Sequence, residues 1–159
     1  MRELIPADKE WVTHLLTQAW GSPQIATRER LLQADELPGV VAIYGGHPAG
    51  LATYQVGDAG FEIVTMNSLF EGQGVGRQVV DKLKWLATVH NCDRIWLVTS
   101  NDNLKAMRFW EHQGFTKFKV HLNSIEGLRK LKPEIPLIGL NGIKITDEIE
   151  YELILDKLE

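Results

Sequence analysis

A glycine-rich stretch near the middle of the chain carries residue types that could bind an anion. It lies between a strand-like apolar run at 61–70 and a helical pattern at 75–89, and reads Glu71, Gly72, Gln73, Gly74, Val75, Gly76, Arg77. Glycine lets the backbone approach a phosphate without a Cβ atom in the way. The first N–H groups of a helix lack internal partners, and the helix dipole favours negative charge there. The stretch therefore predicts either a phosphate site or a tight turn without a ligand.

Two better-known phosphate loops fit this stretch poorly. A Walker A loop requires Lys and then Ser or Thr after its last glycine, whereas Arg77 and Gln78 follow Gly76. A dinucleotide fingerprint has the spacing Gly-x-Gly-x-x-Gly near the start of a βαβ unit. Here the glycines alternate with single residues, and several predicted strands precede them, so neither loop is favoured.

Length and composition predict a single domain over residues 1–159. Hydrophobic residues make up 44% and charged residues 24%, as in ordinary globular proteins. The net charge of −4 argues against nucleic-acid binding, and no apolar run approaches the roughly 20 residues that span a membrane. Cys92 is the single cysteine, and the five histidines lack zinc-ligand spacing. We therefore expect a cytoplasmic protein without a metal, a membrane or nucleic acid as partner.

Hydrophobic periodicity predicts an α/β fold, an α+β arrangement with a mixed sheet. Strands are expected at 2–6, 37–44, 49–56, 61–69, 95–98, 115–122 and 148–155, and helices at 8–20, 27–34, 75–89 and 103–113. Short turns join the three strands between 37 and 69, which makes them antiparallel neighbours. Residues 123–147 are expected to be irregular.

A second motif, Asn103-x-x-Ala106-x-x-Phe109-Trp110-x-x-x-Gly114-Phe115, follows the glycine turn. Together the two motifs resemble the GNAT superfamily of acetyl-CoA-dependent N-acyltransferases, over nearly the whole chain. The family's Gln/Arg-x-x-Gly-x-Gly/Ala motif is matched at Gly74 and Gly76, while Glu71 replaces the usual Gln or Arg. The resemblance implies a central, mostly antiparallel sheet with helices on both faces. It also implies that the strands at about 61–69 and 94–99 splay apart to form a cofactor slot.

The resemblance also implies acetyl-CoA as co-substrate. Its pyrophosphate would lie on residues 71–77, and its pantetheine arm would pair with the backbone of Val64 and Met66. A backbone N–H at Met66 would hold the developing oxyanion. Asn103 would either contact the arm or cap a helix. Trp110 stands where many relatives carry a tyrosine that protonates the leaving thiolate, and is expected to pack beside the slot.

Attack by an amine requires a general base, for which Glu62 is the first candidate. Strand alternation would place Glu62 on one face with Val64 and Met66; otherwise it is a solvated carboxylate. His121 is the second candidate, although a lone histidine there is more often structural. For the acceptor pocket we consider Trp20 and His121 as contacts.

The sequence thus predicts an N-acetyltransferase acting on a primary amine of a small molecule or a peptide. An alternative is a non-catalytic acyl-CoA-binding or regulatory module, which Glu71 and Trp110 suggest because they replace useful groups of the family. The identity of the amine stays open, as does the formation of a homodimer.

Overall fold

The computed structural model describes residues 1–70 and 72–156. Seven strands form one mixed sheet in the order β1-β4-β5-β6-β7-β9-β8, and β2 and β3 form a separate hairpin. The strands are β1 (Arg2–Glu3), β2 (Gln24–Thr27), β3 (Arg30–Gln33), β4 (Gly39–Tyr44), β5 (His47–Gly57), β6 (Gly60–Ser68), β7 (Arg94–Ser100), β8 (Thr116–His121) and β9 (Glu148–Ile154). The helices are α1 (Lys9–Trp20), α2 (Val75–Val89), α3 (Leu104–His112) and α4 (Ile125–Leu131).

Strands β6 and β7 separate shortly after they meet. They are parallel neighbours at two registered pairs, Phe61 with Ile95 and Glu62 with Trp96. Every other neighbouring pair of the seven-stranded sheet is antiparallel. The predicted mixed sheet, mostly antiparallel and splayed at this point, is therefore confirmed.

A β-bulge changes which residues of β6 share a face. Thr53 pairs with Thr65 and the next residue, Tyr54, pairs with Ile63, so Val64 is an extra residue on β6. One inserted residue reverses the alternation of the strand beyond it. Val64 accordingly packs on the face of the sheet that α1 covers, whereas Met66 packs on the opposite face. The expectation that Glu62, Val64 and Met66 share one face is wrong because of this bulge.

Helices cover both faces of the sheet, as predicted. The larger core lies between the sheet and the pair α2 and α3, with Val79, Leu83 and Leu86 on the buried stripe of α2. On the opposite face, Val12 and Leu16 of α1 pack against Leu51 of β5. The apolar period of 3.6 residues predicted both helices because their buried stripes are continuous.

Two predicted segments differ in the structure. Residues 27–34 were expected to be helical, but residues 28–29 form the turn and residues 30–33 the second strand of the β2–β3 hairpin. Arg28 and Glu29 have φ of 45° and 64°, the left-handed conformation that a two-residue hairpin turn requires. Residues 123–147 contain α4 and a short 3₁₀ helix, Leu140–Gly142. Helix α4 has only 7 residues and includes Gly127, so its periodic signal is weak.

Candidate active site

The glycine turn has the geometry of an anion site. Gly72 and Gly74 have φ of 78° and 73°, and an added Cβ atom would meet nothing within 4 Å at either position. Gly74 is the N-cap of α2, and the first intrahelical bond runs from the Gln78 N–H to the Gly74 carbonyl at 3.1 Å. The N–H groups of Val75, Gly76 and Arg77 therefore have no partner within the helix and face its open end.

Two polar side chains of the turn, those of Gln73 and Arg77, are positioned to meet an anion. Gln73 and Arg77 are exposed, and Arg77 forms no salt bridge within residues 1–70 and 72–156. Glu71, where the sequence departs from the family motif, lies outside the described residues. The cation at the start of α2 thus adds to the exposed N–H groups.

Gly76 has a different role from Gly74. A Cβ atom at Gly76 would lie 2.9 Å from Cε1 of Phe109, so glycine here allows α2 to pack closely against α3. Phe109 in turn contacts the ring of Trp110 edge-on, with ring centroids 5.0 Å apart. From the sequence, both Gly74 and Gly76 were predicted to contact phosphate. In the structure, the ring of Phe109 occupies the space that a side chain at Gly76 would need.

Among the residues that the structure describes, no strand pairs with the β7-facing edge of β6 beyond Glu62. This stretch includes the bulged residue Val64 and Met66, and its other edge pairs with β5. Unpaired backbone groups on a strand edge are suited to bind an extended chain. Asn103 lies on the opposite wall, where its Oδ1 accepts a hydrogen bond from the Ala106 N–H at 3.1 Å. Capping uses only Oδ1, so the Asn103 amide group can also donate to a ligand.

A cavity of about 610 Å³ opens on the α1 side of the splayed strands. It lies between β6, β7, the β2–β3 hairpin, the end of α1, α4 and the segment 134–145. Its apolar lining residues include Trp20, Ile25, Val64, Val98, Leu128, Ile135 and Leu140, and its ionisable ones are Glu62, Asp102, Lys132, Glu134 and Glu148. Trp20 is 42% exposed, so the structure places it at this cavity and not in the core.

Glu62 lies at this cavity in a buried ion pair. Its side chain is nearly inaccessible, and Arg30 donates to both of its oxygens, at 2.9 Å to Oε1 and 2.7 Å to Oε2. Gln55 donates to Oε1 at 2.9 Å. The alternative of a solvated strand carboxylate is therefore wrong. Oε2 receives a single hydrogen bond from these partners and keeps one acceptor site.

A second ion pair, between Arg28 and Glu148, holds the β2–β3 hairpin against the sheet. The sequence analysis did not predict it. Arg28 donates to Glu148 of β9 through its backbone N–H at 2.9 Å and through Nη1 at 3.0 Å. Glu148 is 2% exposed. The hairpin thus joins β6 through Arg30 and β9 through Arg28, one on each side of β7. No local sequence pattern indicates ion pairs between residues so far apart in the chain. The sequence analysis also placed both arginines in a predicted helix at 27–34, and therefore did not consider them as partners of these carboxylates.

Two further polar residues of the cavity, Asp102 and Lys132, were not predicted from the sequence. Asp102 is buried and accepts hydrogen bonds from the Ser100 hydroxyl and, at 2.8 Å, from the Leu140 N–H. Lys132 is 7% exposed, and its ammonium group donates to the carbonyls of Trp20 and Gln24 at 2.9 and 2.7 Å. Burial lowers the pKa of Lys132, against the opposing effect of the Glu134 charge.

His121 and Trp110 lie away from the cavity. His121 contacts Glu150 at 3.0 Å through Nε2, and Glu150 is also bound by Arg94 at 2.7 Å. Trp110 is 6% exposed and packs edge-on against Phe109 and Phe115 in the larger core. The structure therefore does not bring His121 to the acceptor cavity, and Trp110 supports Phe109 from behind.

The described part of the chain also lacks features of other protein classes. None of its helices is both long enough and apolar enough to cross a membrane. Over the same residues, no group of three or more His, Cys, Asp or Glu side chains is placed to hold a metal ion.

Comparison with known proteins gives both sequence and structural matches. A sequence profile described as "Acetyltransferase (GNAT) family" matches residues 7–115. The chain is 34% identical to the uncharacterized protein YdhI of Bacillus subtilis strain 168 over 149 residues, 93% of each chain.

Two solved structures share the fold. An N-acetyltransferase from Staphylococcus aureus Mu50 aligns with a TM-score of 0.69 and 15% identity, over 98% of this chain and 97% of that one. A Bacillus subtilis acetyltransferase in complex with CoA aligns with a TM-score of 0.65 and 21% identity, over 74% of this chain and 76% of that one. At these identities the structural likeness concerns the fold.

Proposed function

Because the chain belongs to the acetyltransferase (GNAT) family, we propose that it moves an acetyl group from acetyl-CoA to a primary amine of a small molecule. The observation that carries this proposal is the separation of β6 from β7 beyond Glu62 and Trp96. It leaves a strand edge for an extended ligand, close to the N-terminus of α2 and to the cavity on the α1 side of the sheet.

The proposed acetyl-CoA contacts follow from these three features. The pyrophosphate lies on the turn at 72–77, where Gly72 and Gly74 leave open space and Arg77 supplies charge. The pantetheine arm pairs with the β6 edge at Val64 and Met66, and a backbone N–H there binds the oxyanion. Asn103 donates to the arm from the other wall. These residues fit the ligand without a metal ion or another prosthetic group.

The acetyl transfer requires one proton acceptor. The nitrogen lone pair of the amine bonds to the acetyl carbon, the carbon–sulfur bond breaks, and the thiolate of coenzyme A leaves. Glu62 takes the proton that the nitrogen loses, directly or through one water, at the acceptor site left on Oε2. The cavity volume of about 610 Å³ falls within the range of small-molecule sites, which favours a small acceptor over a protein.

Thiol release from acetyl-CoA, measured with a panel of primary amines, tests the activity. We expect release above the hydrolysis background with at least one amine, and acetylated amine as product. Binding of acetyl-CoA without release for any amine would instead favour the non-catalytic acyl-CoA-binding module.

Gly74→Asn tests the cofactor position separately. Asparagine tolerates the left-handed conformation of this residue better than most side chains do, and its side chain would fill the space left for the pyrophosphate. We expect acetyl-CoA affinity to fall about tenfold or more in calorimetry, on the scale of lost charged hydrogen bonds. Gly45→Asn is the matched control, because Gly45 has φ of 58° and equally open surroundings in the β4–β5 turn. Equal affinities of the two folded variants would reject the assignment.

A further inference from the structure

One ammonium group lies buried in the wall of the cavity, where the exposed carboxylate of Glu134 is the neighbouring charge that favours it. Lys132 follows α4 and is almost fully buried, and it lines the same cavity as Glu62. Both of its hydrogen-bond acceptors, the carbonyls of Trp20 and Gln24, are neutral. Within the described ranges, 1–70 and 72–156, it forms no salt bridge. Buried charges in proteins are normally paired, so we expect an anionic ligand group to bind here.

The buried carboxylates of the cavity are already satisfied. Arg30 holds Glu62, and Arg28 holds Glu148. Asp102 accepts hydrogen bonds from a hydroxyl and a backbone N–H. A ligand that enters the cavity therefore meets one buried cation, Lys132, that no carboxylate of the described residues holds in a salt bridge.

The two carbonyls leave part of the ammonium group unused. An ammonium has three N–H donors, and two of them bind the end of α1 and the start of β2. These two bonds fix the position of Lys132 and satisfy carbonyls near the C-terminus of α1. The third donor has no acceptor within the part of the chain that the structure describes. A bound anion would use it and would offset the cost of burying the charge.

We propose that Lys132 binds a carboxylate of the acceptor, so that the acceptor substrate is an amino acid. This proposal rests on the proposed acetyl transfer and names its substrate class. The amino group lies at Glu62, the carboxylate at Lys132, and the carbon chain between them contacts Ile25, Leu128 and Ile135. We assign a carboxylate and not a phosphate, because phosphate sites commonly add arginines or a helix N-terminus to a lysine.

Matched pairs of acceptors test this assignment. Each amino acid, such as phenylalanine, leucine or 5-aminopentanoate, is compared with the amine that lacks its carboxylate, and kcat/KM is measured for both. With the wild-type protein we expect kcat/KM to favour the amino acid about 10- to 100-fold in at least one pair, the range of a hydrogen bond to a charged group. Lys132→Met should abolish that preference, so that kcat/KM becomes similar for the two members of each pair.

Lys130→Met is the matched control, because Lys130 is exposed in the last turn of α4, two residues before Lys132. It should keep the wild-type preference. Wild-type protein that acetylates amines but favours no amino acid overturns the inference and leaves the acetyltransferase proposal standing. A Lys132→Met variant in which kcat/KM falls equally for both members of a pair also overturns the inference, because that result assigns Lys132 a purely structural role. Absence of acetylation with both classes of acceptor counts against the acetyltransferase proposal as well.

Discussion

Glu62 and Glu148 occupy similar environments but different places in the cavity. Both side chains are buried, and each is held by an arginine of the β2–β3 hairpin. Glu62 lies on β6 at the point where the strands separate, whereas Glu148 begins β9, beyond β7. Proton transfer depends on reach to the reacting nitrogen, so the position of Glu62 beside the β6 edge makes it the better base.

Glu62→Gln should therefore slow catalysis without loss of cofactor. We expect kcat/KM for the amine to fall about 100-fold, the lower end of what a general base contributes. Affinity for acetyl-CoA, measured by calorimetry, should stay within about twofold because Glu62 does not line the glycine turn.

Glu148→Gln is the comparison for that experiment. It removes a carboxylate with the same burial and the same kind of arginine partner. Equal losses of kcat/KM in the two variants would mean that both carboxylates only hold the hairpin, and Glu62 would lose its catalytic assignment.

Local motifs were predictable from the sequence, whereas hydrogen-bond partners far apart in the chain were not. The glycine turn and the cap at Asn103 depend on neighbours within a few residues; the sequence predicted the turn, and the cap was one of the two roles it allowed for Asn103. Arg30 binds a residue 32 positions away, and Lys132 binds carbonyls more than 100 positions away. Such contacts depend on the tertiary arrangement, which single-residue patterns do not encode.

The β2–β3 hairpin is the element that closes the acceptor side. Its two-residue turn is formed by Arg28 and Glu29, although turns of this type favour Asn and Gly. Ionic contacts from Arg28 to Glu148 and from Arg30 to Glu62 hold the hairpin against the sheet. Tertiary ion pairs therefore compensate for an unfavourable turn sequence, which explains why local propensity indicated a helix here.

Glu29→Gly should stabilise the protein. Left-handed backbone costs an L-residue about 1–2 kcal/mol, and glycine removes that cost while it adds about 0.4–1 kcal/mol of unfolded-chain entropy. We expect Tm to rise by about 1–3 °C in a thermal melt. Glu10→Gly, exposed in the first turn of α1, should lower Tm instead. A lower Tm for Glu29→Gly would show that this side chain stabilises the turn.

Regular elements with long, consistent periods were predicted well. Helix α2 begins and ends at the predicted residues, and β4, β5 and β6 form the predicted meander. The bulge at Val64 was not predictable, because one extra residue in an apolar strand leaves no signal in composition. It nevertheless determines that the side chains of Val64 and Met66 lie on opposite faces of the sheet.

Across the whole molecule, the sequence resemblance and the architecture agree. The family match covers 7–115, and the splay between β6 and β7 lies within it. The residues after 115 include α4 and Lys132, which form the far wall of the cavity. The predicted family membership is therefore confirmed, while the acceptor side depends largely on a segment that the sequence analysis left without structure.

Stability of the whole chain should depend on carboxylates distributed over the fold. The hydrogen bond from Arg2 and that from the Ile5 N–H lower the pKa of Asp8 to about 2. Burial works against the ionised form of Glu150, but hydrogen bonds from Arg94 and His121 outweigh it and lower its pKa. A carboxyl group with a lowered folded-state pKa stabilises the protein above its unfolded pKa of about 4, and that contribution disappears as the pH falls.

Thermal melts between pH 2 and pH 7 should therefore show a Tm that falls below about pH 4. Asp8→Asn removes one of these groups, so its Tm should lie below that of the wild type at pH 6 and converge with it near pH 2. The control is Asp58→Asn, in the exposed β5–β6 turn, where the carboxylate forms no salt bridge within the described ranges. This variant should follow the wild-type curve throughout. If the Asp8→Asn curve instead stayed parallel to the wild-type curve at every pH, the Arg2–Asp8 pair would contribute through its hydrogen-bond geometry alone and not through the charge of Asp8.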